Sequence, residues 1–158
     1  MTGVVHAIDK AFRGLLAALM AFMVACVTWQ VVSRYVLGDP SSWTEELARY
    51  LLIWIGLLGG AYAYHARMHL GLDLLTQRLS AGARRVQARF IHCAVIFFSA
   101  TALVGGGLRL VWLELELGQL SPALGVPMAL VYLSLPISGL MLILYAVLAL
   151  AAAPAGEP

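Results

Sequence analysis

Long stretches without a charged side chain dominate this sequence and restrict the folds available to it. Residues 14–33, 90–108 and 128–149 contain no Asp, Glu, Lys or Arg. An α-helix needs about 20 apolar residues to cross a hydrocarbon core of roughly 30 Å. Only 11% of the 158 residues are charged, whereas about a quarter are charged in a typical soluble domain. We therefore expect an all-α membrane protein.

The apolar stretches predict four transmembrane helices in a single membrane domain that covers residues 1–158. The predicted spans are about residues 14–36, 43–64, 88–112 and 127–149. Between the second and third spans, apolar side chains recur every three or four residues, at Met68, Leu72, Leu75 and Leu79. This spacing is typical of an amphipathic helix. We expect this helix, at about residues 66–80, to lie in the membrane surface.

Arginine is concentrated between the second and third spans, at Arg67, Arg78, Arg84, Arg85 and Arg89. The N-terminal segment adds Lys10 and Arg13, whereas the other two connections carry Arg34 and Arg109 alone. Cytoplasmic loops of membrane proteins carry an excess of Lys and Arg. We therefore predict that both termini are cytoplasmic and that the five clustered arginines contact anionic lipid headgroups.

The second span begins with charged residues. Ser42 is a candidate N-cap with Glu45 three residues later, which is a capping-box spacing. Arg49 is spaced i,i+4 from Glu45 and i,i+3 from Glu46, so ion pairs within the helix are available. Charge near lipid normally has a partner, and Arg34 or a second subunit could supply it instead. Both interpretations remain open from the sequence.

Small residues offer sites of close helix packing. Gly56 and Gly60 form a GxxxG pair, and Ser134 and Ser138 form a second pair of small residues at the same spacing. Such pairs let helix backbones approach closely in lipid. The sequence does not decide whether they pack within this chain or on a partner. Trp54, which lies deeper in its span than the other tryptophans, is a candidate partner contact.

His65, His69 and Asp73 are spaced i, i+4 and i+8 on one helical face. A metal site that also uses His92 is possible, but the spacing matches no recognised metal motif, so we predict none. Cys26 and Cys93 form no CxxC pair. One alternative function uses the histidines: a haem-binding four-helix anchor of a respiratory enzyme, with His65 or His69 and His92 as axial ligands.

Several elements occur in an order that is found in one protein family. They are Arg34, Trp43 with Glu45, Glu46 and Arg49, then Trp54 with Gly59, Gly60 and Ala61, then His69 to Asp73, then Ser121, Pro122, Leu124 and Pro127, and finally Tyr132 and Pro136. In this order they resemble the small membrane subunit (DctQ type) of the tripartite ATP-independent periplasmic, or TRAP, transporters. Gly71 departs from the family, which more often has a branched apolar residue there.

The resemblance implies a function. TRAP systems of the bacterial inner membrane take up organic anions, typically carboxylates, from a periplasmic binding protein, with coupling to sodium. A large subunit moves as an elevator, and the small subunit braces it without being an enzyme or holding a cofactor. Residues expected at the interface with the large subunit are Arg34, Trp43, Glu45, Glu46, Arg49, Trp54, Gly56, Gly60, His69 and Asp73.

The distribution of charge agrees with a supporting role. Solute and ion sites of secondary transporters usually need broken helices and polar groups near the middle of the membrane. No predicted span has a charged residue at its centre. A small drug exporter, a third class of membrane protein, would need a membrane-embedded acid and is disfavoured for the same reason.

Overall fold

The structure, a computed structural model, describes residues 2–66 and 81–152 of the chain. The predicted surface helix at residues 66–80 lies almost wholly outside this part. So do four of the predicted site residues, namely Arg67, His69, Asp73 and Arg78. The backbone of Arg84 and Arg85 is described, but their side chains are not.

Helices make up nearly all of the described chain. Helix α1 covers Thr2–Tyr35 and α2 covers Ser42–His65. A third long helix consists of α3 (Ala81–Phe98), a π-helical segment (Ser99–Gly106) and α4 (Gly107–Leu117). The short α5 (Met128–Tyr132) leads into α6 (Ser134–Ala152). Within residues 2–66 and 81–152 there is no β-strand, only an isolated bridge between Leu120 and Pro127.

Four of these helical stretches are long and apolar enough to cross a membrane. They are His6–Tyr35, Ser42–His65, Val86–Leu117 and Met128–Ala151. This confirms the prediction of an all-α membrane protein with four transmembrane helices. Helix α1 begins well before residue 14, where the uncharged stretch starts, because Asp9, Lys10 and Arg13 are compatible with a helix although they end the apolar run.

Helix α1 packs against α2, α2 packs against α6, and α6 packs against α3 and its π-helical continuation. Helix α1 therefore lies at one side of the bundle. Phe12, Cys26 and Ser33 are its buried residues among those from His6 onward. The Cys26 thiol donates a hydrogen bond to the Thr44 carbonyl of α2 at 3.3 Å. Large apolar side chains on the rest of α1, such as Phe22 and Trp29, are exposed.

The start of α2 differs from the prediction by one residue. Ser41, not Ser42, occupies the N-cap position, and its side chain caps no backbone N–H group. Instead, the Thr44 hydroxyl donates to the Ser41 carbonyl at 2.9 Å. The turn before the helix needs Gly38, whose positive φ of 71° favours glycine.

Glycine allows the third helix and α6 to approach closely. A Cβ atom on Gly107 would lie 2.9 Å from both Leu135 Cβ and Pro136 Cδ. A Cβ on Gly139 of α6 would lie 2.8 Å from Leu103 Cβ. Real Cβ atoms do not come this close to other carbon atoms, so these two glycines are required by the packing.

Of the two small-residue pairs, Ser134 and Ser138 are the pair that packs inside the bundle. Ser134 and Ser138 are fully buried inside the bundle, and their hydroxyls donate to the carbonyls of Val131 and Leu135 at 2.8 and 2.9 Å. This pair therefore packs within the chain. The helix of the fourth span is interrupted at Leu133, just before Ser134, because Pro136 lacks the N–H group that would continue the hydrogen-bond ladder.

Candidate partner-binding surface

Glu46, near the start of α2, is buried by the chain itself and is only 8% exposed. Its Oε2 atom accepts hydrogen bonds from the backbone N–H groups of Ala123 at 2.8 Å and Leu124 at 3.0 Å. Its Oε1 atom accepts a hydrogen bond from the Tyr50 hydroxyl at 2.5 Å. Hydrogen bonds to an ionised group are about twice as strong as neutral ones. Three such donors offset the cost of burying this carboxylate.

Residues 121–127, which we call the 121–127 loop, are shaped to present those two N–H groups. The Gly125 N–H donates to the Ser121 carbonyl at 3.0 Å, and the Ser121 N–H donates to the Val126 carbonyl at 2.9 Å. Gly125 has a φ of 65°, in the left-handed region that glycine adopts readily. The successive N–H groups of Ala123 and Leu124 are left pointing outward from this turn, an arrangement that suits an anion.

This contact was not among the partners that the sequence suggested for Glu46, which were Arg49, Arg34 or a second subunit. The structure directs the Glu46 carboxylate to the backbone of its own chain, because the 121–127 loop offers two aligned donors. The sequence showed the turn residues of the loop, but nothing local indicated which side chain its N–H groups would meet.

The two arginines pair with the neighbouring Glu45 instead. Arg49 Nη2 lies 3.4 Å from Glu45 Oε1, and Arg34 Nη2 lies 3.9 Å from Glu45 Oε2. Both alternatives that the sequence left open within the chain are thus realised, one within α2 and one between α1 and α2. All three side chains are about half exposed or more. Exposed ion pairs contribute roughly 0–1 kcal/mol, so they leave these charges available to other partners.

One face of α2 packs against nothing in the described chain. We call it the open α2 face and define it by Arg49, Ile53, Gly56 and Gly60, which follow one another at helical spacing. All four residues are exposed. A Cβ atom on Gly56 or Gly60 would meet no atom within 4 Å. Trp43 at the start of α2 is also exposed, whereas Trp54 is half-buried.

The opposite end of the bundle holds a second polar cluster. His65 Nε2 lies 3.5 Å from Asp9 Oδ1, and Arg13 Nε lies 3.3 Å from Asp9 Oδ2. The His65 ring stacks on the Tyr145 ring with centroids 4.2 Å apart. Sequence reasoning missed this cluster because the partners come from three separate helices.

His92 has a different neighbour, since its Nδ1 atom forms a hydrogen bond with the Tyr64 hydroxyl. His65 and His92 are therefore engaged by different side chains, an arrangement that does not favour their use as a pair of haem ligands. Among residues 2–66 and 81–152, no three His, Cys, Asp or Glu side chains are grouped so that they could hold a metal ion.

Comparison with known proteins decides the family. The pattern of the DctQ component of tripartite ATP-independent periplasmic transporters matches residues 23–154, which contain α2, its open face and the 121–127 loop. The chain belongs to the DctQ family. It is thus a small permease subunit of a TRAP transporter and a multi-pass membrane protein. Such subunits partner with a large permease subunit.

Three relatives illustrate the similarity. The sialic acid TRAP transporter small permease protein SiaQ of Vibrio cholerae is 31% identical over 128 residues, which are 79% of this chain and 70% of that protein. The C4-dicarboxylate TRAP transporter small permease protein DctQ of Rhodobacter capsulatus is 28% identical over 182 aligned positions, covering 95% of this chain and 79% of that protein.

The third relative is much longer. The isethionate TRAP transporter permease protein DctMQ of Oleidesulfovibrio alaskensis is 31% identical over 147 residues. The alignment covers 88% of this chain but only 23% of that protein. In this relative, a segment similar to the DctQ subunit is therefore covalently part of a larger permease.

Proposed function

We propose that this DctQ subunit is a non-catalytic brace for the large elevator subunit of a sodium-coupled TRAP importer of organic acids. It acts in the bacterial inner membrane with both termini in the cytoplasm, and a periplasmic binding protein delivers the solute to the complex. The proposal of an organic acid rests on the three relatives described above, whose names refer to sialic acid, isethionate and C4-dicarboxylates. All of these solutes are organic anions.

The charge distribution supports a bracing role. No Asp, Glu, Lys or Arg occurs in residues 14–33, 50–64, 90–108 or 128–149, which form the central parts of the four helices. Glu46 lies near an end of the bundle and is satisfied by its own chain. Solute and ion sites of secondary transporters usually need polar groups near the middle of the membrane. Because these four segments carry no charge, we assign the solute and sodium sites to the large subunit.

The proposed interface with the large subunit rests on the exposure of the open α2 face. Apolar association alone does not drive helices together in lipid, and small residues permit the close backbone contact that does. Gly56 and Gly60 provide such a surface, and no atom of residues 2–66 and 81–152 covers it. Arg49 at one end of the face adds a charge that a helix of the large subunit can pair with.

The contacts of Glu46 give this face a fixed orientation. They connect the start of α2 to the 121–127 loop, which leads into α5 and α6. Helices α2 and α6 also pack along each other. These contacts make α2 part of a rigid body. A subunit that braces the large subunit needs this rigidity.

Co-purification of the two subunits tests the interface. Gly56→Leu places a branched side chain on the open α2 face and should reduce the amount of co-purified large subunit about tenfold, the factor for a loss of about 1.4 kcal/mol. Gly14→Leu is the matched control, because Gly14 of α1 is also exposed with no atom within 4 Å of a Cβ. Equal recovery of the large subunit with both variants would contradict the proposed interface.

Reconstitution tests the division of labour. Vesicles with this subunit alone should accumulate no labelled carboxylate under a sodium gradient. Vesicles with both subunits should accumulate it only when the binding protein and sodium are present. Sodium-dependent uptake by the isolated subunit would overturn the bracing role, and uptake by the complex without a sodium gradient would overturn the coupling.

A further inference from the structure

A cleft of about 540 Å³ opens at the side of the bundle between α2 and α3. Within residues 2–66 and 81–152, these two helices each pack against α6 but not along each other. They are joined near one end by the hydrogen bond between the Tyr64 hydroxyl and His92 Nδ1. Leu142 of α6 also lines the cleft. The cleft is therefore a groove with α2 and α3 as its walls and α6 at its base.

The groove continues the open α2 face. Gly60, the last residue of that face, also belongs to the wall of the cleft, and Tyr64 follows it one turn later. From Arg49 to Tyr64, the face and the cleft together extend over about 22 Å at 1.5 Å per residue. A hydrocarbon core is roughly 30 Å thick. A partner helix that follows the open α2 face across most of the membrane therefore reaches the cleft.

Both walls of the cleft carry a small residue. Gly60 lies on the α2 wall and Ala94 on the α3 wall, and both residues are exposed. A Cβ atom on Gly60 would meet no atom within 4 Å. Small residues let helix backbones approach closely in lipid. A flexible acyl chain needs no such residues, so this pair favours a helix as the occupant of the groove.

The lining of the cleft determines which side chains of such a helix fit. None of the lining residues that the structure describes is charged, and the Tyr64 hydroxyl is already engaged by His92. The other large lining residues are apolar, namely Phe90, Ile91, Val95, Phe98 and Leu142. The lining thus favours apolar side chains.

The size of the cleft indicates how many side chains it accepts. An apolar cavity of about 150 Å³ holds a benzene molecule, so a cleft of about 540 Å³ has room for two large side chains. On α3 the lining runs from Phe90 to Ser99, which is about 14 Å, or between two and three helical turns. Two residues that lie one turn apart on a partner helix match this length.

We propose that the cleft receives two large apolar side chains, one turn apart, from a transmembrane helix of the large permease subunit. This inference rests on the proposed interface at the open α2 face and extends it to α3 and α6. Packing contacts drive the association of helices in lipid, where burial of apolar surface alone does not. Side chains that fill the cleft supply such contacts with three helices at once.

Co-purification of the two full-length subunits tests the cleft. Ala94→Trp fills it and should lower the recovery of the large subunit about tenfold, which is within the range expected for overpacking. Ala18→Trp on the exposed surface of α1 is the matched control and should give the recovery of the wild type. Because Ala94 is exposed in the subunit itself, Ala94→Trp should leave the thermal unfolding of the isolated subunit unchanged.

Comparison with Gly56→Leu separates this inference from the proposed interface. If Gly56→Leu lowers the recovery of the large subunit and a folded Ala94→Trp variant does not, the interface stands and the inference about the cleft is overturned. If neither variant lowers the recovery, the proposed interface fails together with the cleft.

Photo-crosslinking gives a second measurement that leaves the cleft open. Benzoylphenylalanine in place of Phe98 keeps an aromatic ring at the rim, where Phe98 is 58% exposed. In the complex it should crosslink to a transmembrane helix of the large subunit. The crosslinked peptide should contain two large apolar residues at i,i+3 or i,i+4 spacing. Crosslinks to lipid alone, or to a second copy of this chain, would overturn the inference.

Discussion

Tyr50 lies one turn after Glu46 on α2, and its hydroxyl both donates to Glu46 Oε1 at 2.5 Å and lies 3.3 Å from the Sδ atom of Met128. Met128 is the first residue of α5, directly after the 121–127 loop. The Glu46–Tyr50 pair therefore contacts both the loop and the helix that follows it. These contacts connect the start of the second span to the 121–127 loop and to the first turn of the fourth span.

Replacing Glu46 should loosen the 121–127 loop. In Glu46→Ala, the N–H groups of Ala123 and Leu124 lose their acceptor. Because a hydrogen bond to a charged group is among the strongest in proteins, we expect deuterium exchange of these amides to become about tenfold faster or more. Hydrogen–deuterium exchange of the detergent-solubilised subunit would measure this.

Glu45→Ala is the control for this change, since it removes an adjacent glutamate whose partners are exposed arginines. Exchange in the 121–127 loop should stay at its wild-type rate in this variant. If Glu46→Ala and Glu45→Ala gave the same exchange rates in the loop, the contacts of Glu46 would not be what holds it.

Tyr50→Phe should have a smaller effect than Glu46→Ala. It removes one of three donors to Glu46 and leaves both backbone hydrogen bonds in place. We expect a loss of about 1 kcal/mol in the free energy of unfolding, the usual contribution of one hydrogen bond. Thermal unfolding in detergent would detect it as a decrease of a few degrees in Tm. A stability equal to that of the wild type would show that the hydroxyl contributes nothing.

Gly107→Ala should destabilise the bundle. The new Cβ would lie 2.9 Å from Leu135 Cβ and Pro136 Cδ, so the third helix and α6 would have to separate. Overpacking of this kind costs about 1–3 kcal/mol. Gly56→Ala, on the open α2 face, should be neutral or stabilise by up to about 1 kcal/mol because alanine favours the helix. Chemical unfolding measures the free energy of unfolding of both variants. Equal values would contradict the close approach of the third helix and α6 at Gly107.

Cysteine labelling in whole cells tests the predicted orientation. In a chain with Cys26 and Cys93 replaced by alanine, Pro122→Cys in the 121–127 loop should react with a membrane-impermeant maleimide added outside. Gly82→Cys at the start of α3 should react only after the cells are opened, because the arginine-rich connection is expected in the cytoplasm. The reverse pattern would place both termini in the periplasm.

The sequence alone was sufficient for the fold class and the family. Hydrophobicity summed over about 20 residues decides whether a helix is stable in a bilayer, and this property does not depend on neighbouring helices. The four spans followed from it. The ion pair between Glu45 and Arg49 could also be foreseen, because residues spaced i,i+4 face each other on any helix.

Only the tertiary structure decided how the polar groups are used. Glu45 and Glu46 are adjacent and chemically identical, yet one pairs with exposed arginines and the other binds a loop 77 residues away. Likewise, Ser134 and Ser138 are buried while Gly56 and Gly60 are open, although both pairs have the same spacing. The spacing of small or charged residues determines the helix face on which they lie, but the packing of the other helices determines what that face meets.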